Sequence, residues 1–502
     1  MPLFREPAAA GGRRTMGIRQ RGARVLAIAA AAAMLAGAGP ALAFDREAWR
    51  EDFAQLKRAL AAAYANLEWA VESRRMDLPA LATRAEDLLA KATSDDEARR
   101  AFERFLASFG DGHLRIRWPK PGAPAAPAAA GDPATPSARS CADLGYRRPR
   151  DDGLDFSAFP RYRKLATPES ASFPAGVLET AGGRRVGIVR IALLMEGAFP
   201  EVCEQVHPVP APCDAKCEAR IESEVGRRIG AALAAQVRSL KREGVAAIAI
   251  DLTANGGGSD WAEAAARIVT APGVEAPRMA FIRHPHWVEQ FRMRLEDVER
   301  DLARPDLPGG VRPALEKARA TIRESARVAA EPCDRSVAWE GRATCALVAR
   351  EPAWRSTGLL ATRPAYDVSG LSADHVLDFL SRYGAPEGAW RGRLAVLVDG
   401  DTASAAELFA ATLQDNRRAT IIGAPTFGSG CGYTGGGIAI RLSKSGATLR
   451  LPDCVRFRSD GSNEVEGIVP DVLVPWRAGL SRHQRAARAL PLLERWVERR
   501  GK

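Results

Sequence analysis

Three absences narrow the possible functions before any motif is considered. Beyond residue 43 no stretch comes near the ~18 consecutive apolar residues that a membrane helix needs, so the chain from Phe44 onward is expected to be soluble, with no stable membrane insertion. There is no large excess of one charge either. The full chain has 72 Lys and Arg against 61 Asp and Glu, a formal +11, but six Arg and one Glu precede Phe44, which leaves +6 on the remainder. Apart from an Arg-rich tail after Arg477 the signs are interspersed, which argues against a nucleic-acid partner and reads the tail as a solvated helix. A zinc finger is missing too. Cys203, His207, Cys213 and Cys217 lie close together, but their spacing fits no standard finger, so no metal is expected.

The first 43 residues do contain an apolar run. Arg13, Arg14, Arg19, Arg21 and Arg24 precede Val25 to about Ala36, and Ala41-Leu42-Ala43 has the small-residue form of a leader-peptidase site. Residues 1–43 therefore read as a secretory signal, and the expected location is the periplasm or the extracellular space. All eight cysteines follow this segment, and an even number in an exported chain favours disulfides. The close pairs Cys333/Cys345 and Cys431/Cys454 are expected to be bonded, with pairing among Cys141, Cys203, Cys213 and Cys217 left open.

Residues 44–112 read as an N-terminal helical cap: Trp49, Phe53, Leu56, Leu60 and Tyr64 recur at helical spacing, followed by helices over Leu81–Lys91 and Ala98–Phe109. Residues 113–185 read as a strand ("HLRIRW"), a Pro/Ala/Gly linker from Pro119 to Pro136, and an irregular segment with too little strand pattern to claim a PDZ domain. From 186 to about 480 strands and helices alternate, including a strand "VGIVRIAL" and a helix Glu218–Glu243. Residues about 279–363, with a charged helix Trp287–Arg327, look inserted; the nearby His284 and His286 read as solvated loop residues. A charged helix over 481–502 closes the chain.

Two segments share one layout. "VAAIAIDL" runs through Asp251 into Asn255-Gly256-Gly257-Gly258 and then a helix from Trp261 to Ile268; Leu394–Val398 runs into "DGDTASAAELFAATLQD" and a helix that begins around Ser404. If the two strands are parallel neighbours, their carboxyl ends share the edge where α/β folds place ligand sites, and the glycines face Ser404. Ser404 and Glu407 have the Ser-x-x-Glu form of a capping box. The same position suits a nucleophile, because unpaired amides and the positive dipole end at a helix start stabilise an oxyanion. The expected donors are the amides of Ala405 and Gly257. Asp415 sits ~16 Å down the helix axis from Ser404, too far for proton transfer, and reads as structural.

Taken in order, "DLTANGGG", "DGDTASAAELFAATLQDNRRATIIGAPTFGSG" and "EVEGIVPD" resemble the C-terminal processing and tricorn-type serine peptidases, over roughly Val186 to Pro475. The helical cap followed by "FGDGHL" is similar as well. The resemblance implies an α/β fold with a ClpP/crotonase-like core of repeated β-β-α units, Ser404 as nucleophile, a peptide or protein substrate and no cofactor. One departure stands out. Processing peptidases of this kind read Phe-Gly-Lys-Gly where this chain has Phe427-Gly428-Ser429-Gly430, so their lysine base is missing, and Lys444 occupies a different motif position. The "DGHL" setting resembles the tricorn-like branch, which implies His113 as general base and Glu464 as its orienting partner, with Glu466 as the second choice. In that branch a serine precedes the histidine; here it is Gly112. The expected activity is that of an exported serine endopeptidase. The alternatives are a non-catalytic ligand- or peptide-binding protein on the same scaffold and crotonase-type acyl-thioester chemistry, which suits an exported chain poorly.

Overall fold

The computed structural model describes residues 44–119, 140–206, 213–331, 333, 335–342, 345–362, 364, 366–384 and 387–499. The predicted signal, the linker beyond Pro119 and His207 lie outside the described residues. From Arg46 onward the elements belong to one contact unit.

The cap is built on α1 (Arg46–Ala63), α2 (Leu78–Lys91) and α3 (Asp95–Ala107), with a short helical turn over Leu67–Glu72 between the first two. Asp77 and Ser94 start the second and third by accepting the Ala80 and Glu97 amides, as helix-opening polar residues do. On α1 the predicted apolar stripe is buried, and Phe53 meets Phe102 and Phe105 of α3 edge-on, with ring centroids 5.5 and 4.9 Å apart. That seam sets where α3 ends and where the Phe109–His113 segment begins. Strand β1 (Arg115–Arg117) then joins β11 (Thr448–Leu451) and β10 (Ile438–Arg441) in a small antiparallel sheet.

The central sheet has seven strands in the order β13-β9-β8-β5-β4-β3-β2. Its members are β2 (Tyr162–Leu165), β3 (Ala175–Glu179), β4 (Arg185–Arg190), β5 (Ala247–Asp251), β8 (Arg393–Val398), β9 (Thr420–Gly423) and β13 (Val472–Leu473). From β4 to β13 every pairing is parallel; β3 and β2 add on antiparallel. Strands β5 and β8 are parallel neighbours, as expected, with Asp251 opposite Leu397. Period-two alternation decides the layers. Ile248, Ile250, Val396 and Val398 pack into the core with α4 (Ala215–Arg242), α5 (Trp261–Ile268) and α8 (Ala405–Asp415). Ala247, Ala249, Ala395 and Leu397 face the opposite way, against α9 (Arg482–Glu498).

Two sequence expectations change here. The segment before Val186 holds β2 and β3, a short, mostly exposed edge strand beside a short buried one, and neither has the apolar alternation of a half-buried strand. The single helix expected over Trp287–Arg327 is a hairpin of α6 (Pro285–Leu302) and α7 (Val311–Ala329), broken at Pro308-Gly309-Gly310, where Gly310 has a φ of +82°. Its flanking strands β6 (Arg278–Ile282) and β7 (Val348–Arg355) pair with each other, and β6 also pairs with β12 (Cys454–Phe457). The apparent insertion thus shares a sheet with the chain's later part.

The disulfides are Cys141–Cys203, Cys213–Cys217, Cys333–Cys345 and Cys431–Cys454. The two expected pairs are among them. The three cysteines of the zinc alternative, Cys203, Cys213 and Cys217, are all disulfide-bonded.

Candidate active site

Beyond β8 the chain reverses through Asp399–Ala403 and is stitched to the end of β5. Thr402 Oγ1 donates to the Leu252 carbonyl at 3.0 Å, and the Ala403 amide donates to the Asn255 carbonyl at 2.9 Å. These bonds hold Ser404 in a φ of +55° and ψ of −119°, a conformation that costs a non-glycine residue about 1–3 kcal/mol and concentrates at functional sites. Glu407, one turn into α8, steadies the strained residue by accepting its amide at 2.7 Å. The expected capping box between Ser404 and Glu407 is therefore formed, and the serine hydroxyl also faces a second partner.

Ser404 Oγ lies 3.0 Å from Nε2 of His113. The imidazole reaches it from the far end of the cap. Asp111 accepts the His113 amide at 2.8 Å through one oxygen, and through the other it accepts Tyr64 Oη at 3.0 Å and Asn66 Nδ2 at 2.8 Å. Burial pushes the Asp111 carboxyl up to about 6 against these hydrogen bonds. The Tyr433 hydroxyl donates to the His113 carbonyl. On the other side of the ring, Nδ1 lies 2.8 Å from the carbonyl oxygen of Ser429. A carbonyl can only accept, so Nδ1 carries the hydrogen and Nε2 is left to receive the Ser404 proton. Burial holds His113 down at about 4; the Ser429 contact opposes it, and Arg456 and Arg115 add to it.

Glu407 reaches further than a cap. Its buried carboxylate also accepts Thr426 Oγ1 at 2.6 Å and the amides of Gly428 and Ser429 at 2.7 and 2.9 Å. One side chain thereby ties the Ser404 backbone to the residue whose carbonyl meets His113 Nδ1. Burial raises its pKa, with these bonds opposing.

Glu464, expected to orient His113, contacts Arg456 instead. Both its oxygens bind Arg456, at 2.9 and 2.8 Å, and Arg456 Nη2 also donates to the Gly430 carbonyl at 2.9 Å. Among the described residues the contact on His113 Nδ1 is the Ser429 carbonyl, not Glu464. The reason is local: Phe457 bridges Asn463 in a tight hairpin, which presents the arginine eight residues earlier to Glu464. Glu466, the second choice, accepts Trp69 Nε1 at 2.9 Å. Lys444 pairs with Glu51 at 2.9 Å on the cap. Asp415 takes the fork of Arg458, a structural role as expected.

The glycine turn does come against Ser404: a Cβ on Gly257 would lie 2.7 Å from Ser404 Cβ, and its φ is +108°. Only glycine fits. Its amide, however, donates to Asn255 Oδ1 at 2.9 Å, so Gly257 is a spacer here rather than the expected donor. Gly258 and Ala405 both line the cavity over Ser404, and among the described residues neither amide has a partner. That cavity measures about 420 Å³, and the Cys431–Cys454 disulfide forms part of its wall. His284 and His286 are not solvated loop residues. His284 accepts the His286 amide at the start of α6, and His286 lies 3.2 Å from Asp453.

Sequence reasoning missed Asp111, Tyr64, Asn66 and the Ser429 carbonyl. Asp111 was in view within "DGHL", two residues before His113; the other three carry no local signal.

Residues 220–474, just over half the chain, match the profile of Peptidase family S41. A carboxy-terminal-processing protease of Bartonella bacilliformis is 43% identical over 82 residues, 16% of this chain, and one of Synechocystis is 47% identical over 57 residues, 10% of this chain. The matches cover only 18% and 13% of those relatives. Among solved structures, mature CPAF alone and mature CPAF complexed with lactacystin superpose with TM-scores of 0.58 and 0.57 at 15% identity, covering 90% of this chain and 97% and 98% of theirs. That likeness concerns the fold. The matched profile runs from α4 through the glycine turn, the Ser404 helix and β13, and on that ground the chain belongs to peptidase family S41.

Proposed function

We propose that this protein is an exported serine endopeptidase working through an acyl-enzyme on Ser404. Ser404 Oγ attacks the substrate's carbonyl carbon while its proton passes to His113 Nε2, and the imidazolium then returns that proton to the leaving amine. Water next attacks the acyl carbon, His113 takes its proton, and the carboxylic acid leaves as Ser404 recovers its hydrogen. The amides of Ala405 and Gly258 hold the oxyanion; losing one such donor typically costs ~2.7–4 kcal/mol of barrier.

The observation that carries the proposal is the 3.0 Å pair between Ser404 Oγ and His113 Nε2 at the start of α8. The non-catalytic alternative rested on the missing lysine, and a bare imidazole nitrogen on the serine supplies what that lysine would. Glu464 acts in this scheme as a positioning residue, neutralising the Arg456 guanidinium that would otherwise repel the imidazolium. Four disulfides support export, and no helix among the described residues is long and apolar enough to cross a membrane.

A fluorophosphonate probe tests the scheme. Labelling is expected on the wild type and absent from Ser404→Ala; a folded wild type that takes no label favours the binding protein.

A further inference from the structure

The cavity over Ser404 contains four arginines, and three of them have a carboxylate within reach. Arg456 binds Glu464 at 2.8 Å, Arg382 lies 3.7 Å from Asp374, and Arg355 lies 3.8 Å from Glu275. Arg294, on α6, has no ion-pair or hydrogen-bond partner among the described residues. Its guanidinium is instead held among rings: the central carbon lies 5.4 Å from the Trp287 centroid and 5.8 Å from those of Phe291 and Trp354. Such contacts fix a cation's position without neutralising it.

Asp453, the acid that acts on this guanidinium, is engaged elsewhere. Asp453 already accepts the Thr434 amide through both oxygens, at 3.1 and 3.0 Å, and pairs with His286. Nη1 of Arg294 is shut off from solvent without a partner, and desolvation brings the group down to about 10 with Asp453 opposing. A caged cation left unneutralised is costly to keep unless something neutralises it. The guanidinium fork matches a carboxylate in shape and charge, and a peptide is a molecule that brings carboxylates.

We propose that Arg294 is a specificity-determining residue that binds a carboxylate of the peptide substrate within the Ser404 cavity, so that the enzyme selects peptides bearing an acidic side chain or a free C-terminus near the scissile bond. This rests on the peptidase reading of Ser404, but the binding step is separable from cleavage.

The test uses Ser404→Ala protein and fluorescein-labelled short peptides, read by anisotropy. One pair carries Glu or Gln internally, with both C-termini amidated; the other is neutral, with a free or an amidated C-terminus. A preference of about tenfold or more for the carboxylate member of one pair is expected, as for a charge-assisted hydrogen bond, and the pair that shows it identifies the source. Adding Arg294→Met should bring the ratio to about one, whereas Arg294→Lys should retain part of it. Equal binding within both pairs, or a preference that survives Arg294→Met, overturns the proposal. Fluorophosphonate labelling of the wild type is scored separately, so a failed peptidase reading shows there and not in these ratios.

Discussion

The carbonyl oxygen of Ser429 stands 2.8 Å from Nδ1 of His113, at the motif position where the processing peptidases that this chain resembles carry a lysine. The residue at that position thus meets the His113 ring through its backbone. Its side chain is buried, and a Cβ on Gly112 would lie 2.5 Å from its Oγ. Restoring the lysine should therefore not restore a base. Ser429→Lys is expected to destabilise the fold by about 1–3 kcal/mol through overpacking and to abolish fluorophosphonate labelling by displacing Gly112 and His113. Thermal melts and labelling read both effects.

Removing the imidazole is the direct test of the base. His113→Ala should reduce kcat/KM by at least ~10²-fold, the low end for a general base. Near-normal turnover would reassign the role.

The pH profile should be unusually tolerant of acid. His113 is held at about 4 by burial, with Arg456 and Arg115 adding and the Ser429 carbonyl opposing. Its neutral, proton-accepting form therefore persists well below its ordinary value of 6.5, and the acid limb of kcat/KM should fall near pH 4. Stability moves with the same sign. Between those two values the unfolded chain binds a proton that the native state refuses, so this contribution is complete above 6.5 and lost as the pH falls toward 4. An acid limb near 6.5 in kcat/KM would contradict the buried geometry.

Glu464 and Arg456 form a buried pair, and breaking one side should differ from removing both. Glu464→Gln leaves a guanidinium near His113 without its counter-charge, and a loss of about 3–5 kcal/mol is the usual scale for such an orphan. The acid limb should shift further down as the imidazolium becomes harder to form. Adding Arg456→Met should recover part of the stability and return the limb upward. If Glu464→Gln shifts the limb upward instead, Arg456 is not the link between Glu464 and the base.

Glu407 should be the most sensitive positioning residue. Glu407→Gln places an amide NH₂ among four donors, from Ser404, Thr426, Gly428 and Ser429, and is expected to cost roughly 3 kcal/mol. Labelling of Ser404 should slow with it. A melt and a labelling rate like those of the wild type would show that the loop holds its place by other means.

The Cys431–Cys454 bond closes a 23-residue separation beside His113, and loss of such a cross-link costs about 3 kcal/mol in the chain-entropy account. Replacing both cysteines with serine should lower the melting temperature and slow labelling. Unchanged labelling would separate the disulfide from the site.

The local pieces of this protein were legible in its residues. Apolar runs marked β5 and β8, helical periodicity marked α1 and α8, and the family motifs marked Ser404 and His113, because these patterns depend on neighbours a few positions apart. Hydrogen-bond direction does not. Which carbonyl faces Nδ1, whose amide at the glycine turn is taken by Asn255, and whether Glu464 meets His113 or Arg456 depend on how separate loops are aimed at one another. The pairing of His113 with Ser404 spans 291 positions; the aromatic seam of the cap and the parallel edge of β5 and β8 bring it about, and only the packed chain could decide it.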